Sequence, residues 1–521
     1  MQVFFPHKTG NMESTVLTAF LVIPLSIFLL IYATAGRRRR PPYPVPPLPI
    51  IGHLHLLRLP LHRTLHRLSQ KHGPIFSLKL GSRLVAVVSS LPLAEECFTT
   101  NDAVFNNRPY NLASKYVGYN QSTMVGLPHC DRWRRLRRLA AEEVFSAARL
   151  NSSLPIRLDE IEQLLKSLLR PDPENGFHRV ELRPKFSQLT FNLMVRMIAG
   201  KRFFAGDMEN RESVGVRELI KEVLEVGDVS NPEDFFPLLR WLDWRGVKKR
   251  LAALGERLDD FVQKLIDDCR REETPAESTM IGHLLSLQQS EPHFYTDLAI
   301  KGLINNMIIA GTETSSMSME WGMAALLNHP KVMRKAREEL DRVVGFERLV
   351  NESDLPQLHY LQCIVSETLR LFPPAPLLLP HYSSEACKVG GYDIPSGTML
   401  LVNAFAIHRD PNLWNGDPTS FVPERFEGWE VESSSSSSLV ASQRLIVMPF
   451  GMGRRSCPGA GLAKRIVALV LASMIQCFEW KRITQRAIDL DEGKGLTMPK
   501  AKPLVAMCKA RKDIHKVLHL P

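Results

Sequence analysis

The chain contains no C-x-x-C pair. Its eight cysteines stand singly, from Cys97 to Cys508, in 521 residues. That absence argues against zinc ribbons, thioredoxin-type dithiols and covalent c-type haem attachment. Cysteine is also too sparse for a disulfide scaffold, so the thiols read as mostly reduced and facing a cytosol. No internal repeat is visible, which argues against a solenoid. Beyond Ile51 no linker is long enough to divide the chain. An acidic excess is likewise missing: 66 Lys+Arg against 55 Asp+Glu leave +11. A positive balance points to nucleic acid, a membrane surface or an acidic protein partner. With 44% hydrophobic and 23% charged residues, the chain can bury a large core and is not disordered.

What is present begins with an uncharged run from Val16 to Ala35. At about 1.5 Å per helical residue it spans about 30 Å, the hydrocarbon thickness of a bilayer. Pro24 inside it is tolerated in membrane helices. A cleaved signal peptide is the rival reading, because Ala33-Thr34-Ala35 resembles a cleavage site. Against cleavage, the run is longer than a signal core, and the basic block Arg37–Arg40 follows it, with only His7 and Lys8 before it. The positive-inside rule then keeps that block cytosolic. The expected organisation is a short lumenal segment (1–15), a membrane anchor (16–35), a basic, proline-rich hinge (36–50) and a catalytic domain (51–521). Six prolines between Pro41 and Pro49 predict a stiff extended spacer.

The body reads as mainly α with a small β region. Ile75–Leu80, Gly81-Ser82 and Arg83–Val88 predict a β-hairpin, and a second β-rich patch runs from Lys388 to Val402. Nearly everything else has helical spacing. The six serines from Ser433 to Ser438 predict a surface loop without chemistry.

One thiol has special surroundings. In Phe450-Gly-Met-Gly-Arg-Arg-Ser-Cys457-Pro-Gly459, a glycine-rich turn meets an apolar helical pattern beginning at Ala460. A sulfur there faces unpaired N–H groups and the positive helix end, which should lower its pKa. The bland alternative is a buried structural cysteine. The F-x-x-G-x-R-x-C-x-G spacing resembles the haem-thiolate signature of the cytochrome P-450 superfamily. The resemblance implies haem b, with Cys457 as the axial iron ligand, Arg455 on a propionate, and Phe450, Gly451 and Gly459 around the sulfur. A thiolate ligand favours O–O cleavage.

Three further patterns occur in the superfamily's order. In Leu303–Ser315, Leu303, Met307, Ala310 or Gly311 and Thr314 share a helix face. Gly311 costs about 1 kcal/mol of helix stability relative to alanine, so a notch against a ligand is the expectation. A helix end with ordinary polar residues is the bland one. The resemblance makes Ala310 and Gly311 haem contacts, and Thr314 with Glu313 the proton relay. Glu367-x-x-Arg370, an ordinary surface pair by itself, joins Arg425 of Pro-Glu-Arg-Phe in a structural network. Trp133 and Arg137, four apart, would reach propionates, whereas Arg134, Arg135 and Arg138 would meet an acidic redox partner. Nucleic acid is the bypassed reading, since an anchor keeps the chain from the nucleus. More weakly, His381 would touch a propionate. Leu377, Leu378 and Leu379 would line the substrate cavity, with Leu496, Thr497 and Met498 closing it.

The texture of HRTLHRLSQKHGPIFSLKLGSRLVAVVSS, FNNRP and HRDPNLWNGDPTSFVPERFE is similar to plant microsomal enzymes, most of all the isoflavone-hydroxylase-like family. The resemblance implies hydroxylation or oxidative coupling of a small phenolic such as a flavonoid, isoflavonoid, lignan or xanthone precursor. It also implies O2 and NADPH as co-substrates, NADPH-cytochrome P-450 reductase as partner, and the endoplasmic reticulum membrane as location. A haem-thiolate isomerase or dehydratase without reductase, and a non-catalytic haem protein, are the alternatives.

Overall fold

In a computed structural model the described residues are 39–169, 176–204, 211–226, 231–239, 243, 246–271, 279–414, 416–429, 447–512 and 514–518. The expected anchor, the start of the basic block and the serine run lie outside them.

Alternation of branched apolar residues builds the strands, and glycine turns separate them. In chain order they are β1 (Ile75–Leu80), β2 (Arg83–Val88), β3 (His178–Glu181), β4 (His381–Tyr382), β5 (Cys387–Val389), β6 (Tyr392–Ile394), β7 (Met399–Val402), β8 (Phe478–Lys481) and β9 (Val505–Ala510). The anticipated hairpin forms in the anticipated register, Ile75 opposite Val88 and Leu80 opposite Arg83. Its sheet runs β1-β2-β7-β4, with β2 parallel to β7 and β7 antiparallel to β4. A second sheet runs β3-β9-β8, and β5 with β6 forms the hairpin of the Lys388–Val402 patch.

Helices make the rest, as composition indicated. Asp297–Asn328 is the central one, buried around most of its circumference. It packs against Leu182–Ala199, His359–Leu371 and Ala460–Cys477. The apolar residues of these helices form one large core, while the β1–β2 region carries two smaller clusters on its faces. Ala460–Cys477 is apolar and long enough to cross a membrane, but it is largely buried inside the protein. Burial in a protein core satisfies an all-round apolar helix as well as lipid does.

The proline segment departs from expectation. It is fastened to the domain instead of standing free. The Pro42 carbonyl accepts the Ser77 N–H at 2.8 Å, the Val45 carbonyl bonds the His53 ring at 2.8 Å, and the Arg39 carbonyl accepts the Asp393 N–H at 2.8 Å. Prolines lack N–H donors but keep their carbonyls, so an extended proline strand can still be tied down at a sheet edge.

Candidate active site

Two glycine-relaxed positions shape the loop that carries Cys457. Gly451 and Gly453 take φ of 72° and 67°, where a side chain is strained. The Cys457 N–H donates to the Phe450 carbonyl at 2.8 Å, folding the loop back beneath the sulfur. A Cβ on Gly459 would sit 3.4 Å from Phe145 and 4.0 Å from the Cys457 Sγ. Cys457 is exposed by accessible area, yet burial is the largest influence on its thiol. Burial pushes the Cys457 thiol up, and a Gly459 N–H bond and the Arg137 charge pull it down without offsetting that. The lowered pKa anticipated from the helix start is therefore corrected: desolvation outweighs the few oriented donors.

Behind this loop lies a closed charge network. Glu367 and Arg370, both fully buried, form a fork at 2.6 and 2.7 Å. Arg370 also donates to the carbonyls of His408 and Pro418 at 2.7 Å. Glu367 accepts the Val422 N–H at 2.8 Å, and Arg425 approaches it at 3.7 Å. His408 extends the network toward the cysteine loop. Its Nε2 accepts the Met448 N–H at 2.9 Å, so Nδ1 carries the proton it gives to the Arg370 carbonyl at 3.0 Å. Burial and the nearby Arg409 and Arg370 push this imidazole down to about 3. Sequence reasoning missed His408, whose signal was the His-Arg-Asp-Pro stretch after β7.

On the central helix, Ala310 is exposed although its neighbours along the helix are mostly buried. An exposed alanine inside a buried helix looks onto interior space. The Thr314 hydroxyl donates to the Ala310 carbonyl at 2.6 Å. Burial pushes the Glu313 carboxyl up, opposed by Arg183 and reinforced by Glu320. Gly311 is closely approached by a neighbouring helix. A Cβ there would meet the Met194 Sδ at 2.5 Å, so the glycine lets the Leu182–Ala199 helix approach.

A third group gathers beside the loop. Arg455 donates to Asn106 Oδ1 at 2.8 Å and to the carbonyls of Asn106 and Leu127 at 3.0 and 2.5 Å. Its guanidinium lies 4.4 Å from the Trp133 ring centre. The Trp133 N–H is given to the Met124 carbonyl at 3.1 Å, so this ring offers a stacking face to Arg455. Arg137 reaches Ser456 Oγ at 3.5 Å. His381 is buried, bonds the Phe105 carbonyl at 2.8 Å, and is pushed well below the usual imidazole range by burial and by Arg108.

A family model described as cytochrome P-450 matches residues 41–507. The chain belongs to the cytochrome P-450 family. It is 53% identical over 508 residues to a cytochrome P-450 of Catharanthus roseus, covering 97% of this chain and 99% of that one. It is 50% identical over 515 residues to (+)-piperitol/(+)-sesamin synthase of Sesamum radiatum, with 97% and 99% covered. Isoflavone 3'-hydroxylase of Medicago truncatula is 48% identical over 492 residues, with 93% and 96% covered. Membership makes the chain a monooxygenase-type oxidoreductase and implies haem-thiolate iron.

The residues present fit that group. Arg455 is coupled electrostatically to Arg108 and to Arg137, and none of the three has a carboxylate within ion-pair distance among the described residues. Burial pushes Arg108 down to about 9 and Arg455 to about 10. Around them Asn106 Nδ2, Arg108 Nε and His129 Nε2 are buried without a hydrogen-bond partner. Such a donor-rich, acceptor-poor cluster calls for an anion. Haem propionates supply one, and a coordinating metal deprotonates a buried thiol. Asn106, Arg108 and His129 were missed; the first two lie in the Phe-Asn-Asn-Arg-Pro stretch, and the burial of all three cannot be read from one chain.

The expected cavity wall is only partly brought together. Leu379 and Leu496 line a cavity of about 140 Å³ with Arg108, Gln121, Val125 and Phe235. Leu377 and Leu378 instead pack into the two clusters flanking the sheet. The three leucines lie in a turn in which Leu378 takes φ of 53°, so their side chains diverge. Thr497 is half-buried, while Met498 is buried, its carbonyl taking the Trp321 N–H at 2.7 Å.

Proposed function

We propose that this protein is an NADPH- and O2-dependent haem-thiolate monooxygenase acting on a plant phenolic of the isoflavonoid or lignan type, by hydroxylation or oxidative ring coupling. The observation that carries the reading is the Cys457 loop, set beside Arg137 and Arg455 and near buried donors that have no partner. Relatives named as an isoflavone hydroxylase and a sesamin synthase support the substrate class. When bound, haem supplies the oxidation of substrate by activated dioxygen. This chain's residues do the rest. Cys457 offers its sulfur to the iron. Arg108, Arg137, Arg455 and His129 hold the propionates, and Asn106 fixes Arg455. Ala310 leaves room on the opposite face. The Thr314 hydroxyl donates to Ala310 and can receive a proton from a water. Glu313, its carboxyl pushed up by burial, can take up and pass on a proton. Arg138 would meet the NADPH-cytochrome P-450 reductase, and residues 16–35 would hold the domain at the endoplasmic reticulum membrane.

Microsomes holding this protein and the reductase, given a panel of isoflavones, lignans and xanthone precursors, test the reading. Products gaining one oxygen or losing two hydrogens, only with NADPH, are expected. Conversion without NADPH, or a reduced carbonyl spectrum of the histidine-ligated type, would overturn it.

A further inference from the structure

The segment that brings Leu496 to the cavity is a narrow loop with closed ends. Glu492 and Lys500 face each other in an antiparallel bridge, and the Gly493 N–H donates to the Pro499 carbonyl at 2.7 Å. The returning arm is fastened to the central helix region. The Met498 carbonyl takes the Trp321 N–H, and the Lys500 carbonyl takes Arg183 Nη2 at 2.7 Å. The outgoing arm consists of Gly493, Lys494 and Gly495, with φ of 136° at Gly495. Two glycines give it little stiffness of its own.

Its outer end is held by charge. The Glu492 side chain is 2% exposed and receives His62 Nε2 at 2.6 Å, Arg63 Nη2 at 2.6 Å and Arg63 Nε at 3.1 Å. The partners are themselves fixed. The His62 ring lies 4.6 Å from the Phe405 ring, and the His62 carbonyl accepts Asn403 Nδ2 at 3.0 Å. Arg63 fits the carboxylate as a two-pronged fork, a geometry that restricts rotation as well as distance. Burial works to raise the Glu492 carboxyl, but His62 and Arg63 hold it down at about 2. Glu492 stands four residues before Leu496, within about 13 Å of chain. With Met498 pinned to Trp321 two residues beyond, Leu496 is held between two fixed points, and a shift at Glu492 displaces it. In a cavity of about 140 Å³, such a displacement decides which bulky groups fit.

We propose that Glu492, clamped by His62 and Arg63 from a helix some 430 positions earlier, is a positioning residue that sets where Leu496 stands and so which bulky ligands the cavity admits. The inference rests on the proposed haem site, because Arg108, read there as a propionate partner, also lines this cavity. Two azoles separate it from a general loss of structure. Imidazole needs only the iron, whereas clotrimazole, an imidazole bearing a triphenylmethyl group, must also fit the cavity. In full-length, haem-loaded protein, Glu492→Gln should leave imidazole binding and the thiolate-type carbonyl spectrum unchanged while shifting the clotrimazole Kd about fivefold. In a Leu496→Ala background the same substitution should shift it less than about twofold, because the positioned group is gone. Equal effects in both backgrounds, equal effects on both azoles, or no effect on either would overturn the proposal. His62→Gln, if Glu492→Gln folds poorly, should reproduce the selective shift. Failure of the unsubstituted protein to give a thiolate carbonyl spectrum would overturn the haem reading instead.

Discussion

The two sides of the site are built differently. Behind the cysteine loop the polar groups of one network are committed to one another across the chain: Glu367 to Arg370 and Val422, Arg370 to His408 and Pro418, His408 to Met448. On the opposite side Thr314 bonds within its own helix turn, and Leu379 is 36% exposed. The first side holds a ligand atom in place, where small displacement is costly. On the proposed reading the second accepts substrate and protons, which groups left available would serve. Stability should therefore fail from the first side, and selectivity or coupling from the second.

The sharpest break of that contrast is Glu367→Ala. It leaves Arg370 fully buried with its charge uncompensated, a loss of about 3–5 kcal/mol. Chemical denaturation should show it, together with loss of the thiolate carbonyl spectrum. Thr314→Ala should do the reverse. Haem loading and stability should stay near those of the unsubstituted protein, while product formed per NADPH falls about tenfold, the electrons appearing as hydrogen peroxide. Unchanged coupling would remove Thr314 from the proton path.

His408 adds a pH dependence to the first side. Its folded pKa is depressed to about 3, so the unfolded chain binds the proton more tightly. The contribution of the neutral imidazole is complete above the unfolded value and is lost as pH falls through that window. By pH 5 the loss is about 2 kcal/mol. His381 is depressed for the same reason and adds to the slope. His408→Gln, which can still accept the Met448 N–H, should flatten the acid limb of a stability-against-pH curve by one histidine's share. An unchanged slope would show that this imidazole is not held neutral.

How much of this was legible depended on whether local spacing determined the contact. The β1–β2 hairpin follows from alternation around Gly81-Ser82, and its register agrees residue by residue. The Glu367–Arg370 pair follows from one turn of helix, though only the fold buries it. Gly311 was legible as costly but not as to cause, because Met194 arrives from a helix over a hundred residues away. Leu377 and Leu378 went astray because a peptide string does not say which of its side chains turns inward. Asn106, Arg108 and His129 matter through burial without partners, a property of the assembled fold. The cysteine's pKa was misjudged because a local donor count omits desolvation by the whole domain.

Gly311→Ala sharpens the comparison from the second side. The added methyl must displace Met194, an overpacking cost of about 1–3 kcal/mol, offset by about 1 kcal/mol of helix propensity. A net loss near 1 kcal/mol is expected, with haem spectra unchanged. In a Met194→Ala background the loss should vanish, as thermal denaturation of the four proteins would show. Persistence of the loss there would return Gly311 to the ligand side.

The smallest effect belongs to the basic face outside both sides. Arg134 pairs with Asp131, and Arg135 with Glu291 while lying 3.8 Å from the Phe294 ring centre. Those two arginines therefore have their charge partly answered within the chain. Arg138 is exposed on the same helix, and no acidic residue lies within ion-pair distance of it among the described residues. If this face meets an acidic reductase, charge reversal acts on encounter more than on the bound complex. Arg138→Glu should raise the apparent KM for reductase about two- to threefold at low salt, and Arg134→Glu by less. Because screening removes such long-range attraction, the difference should fade as ionic strength rises. A KM unmoved at low salt would place the docking surface elsewhere.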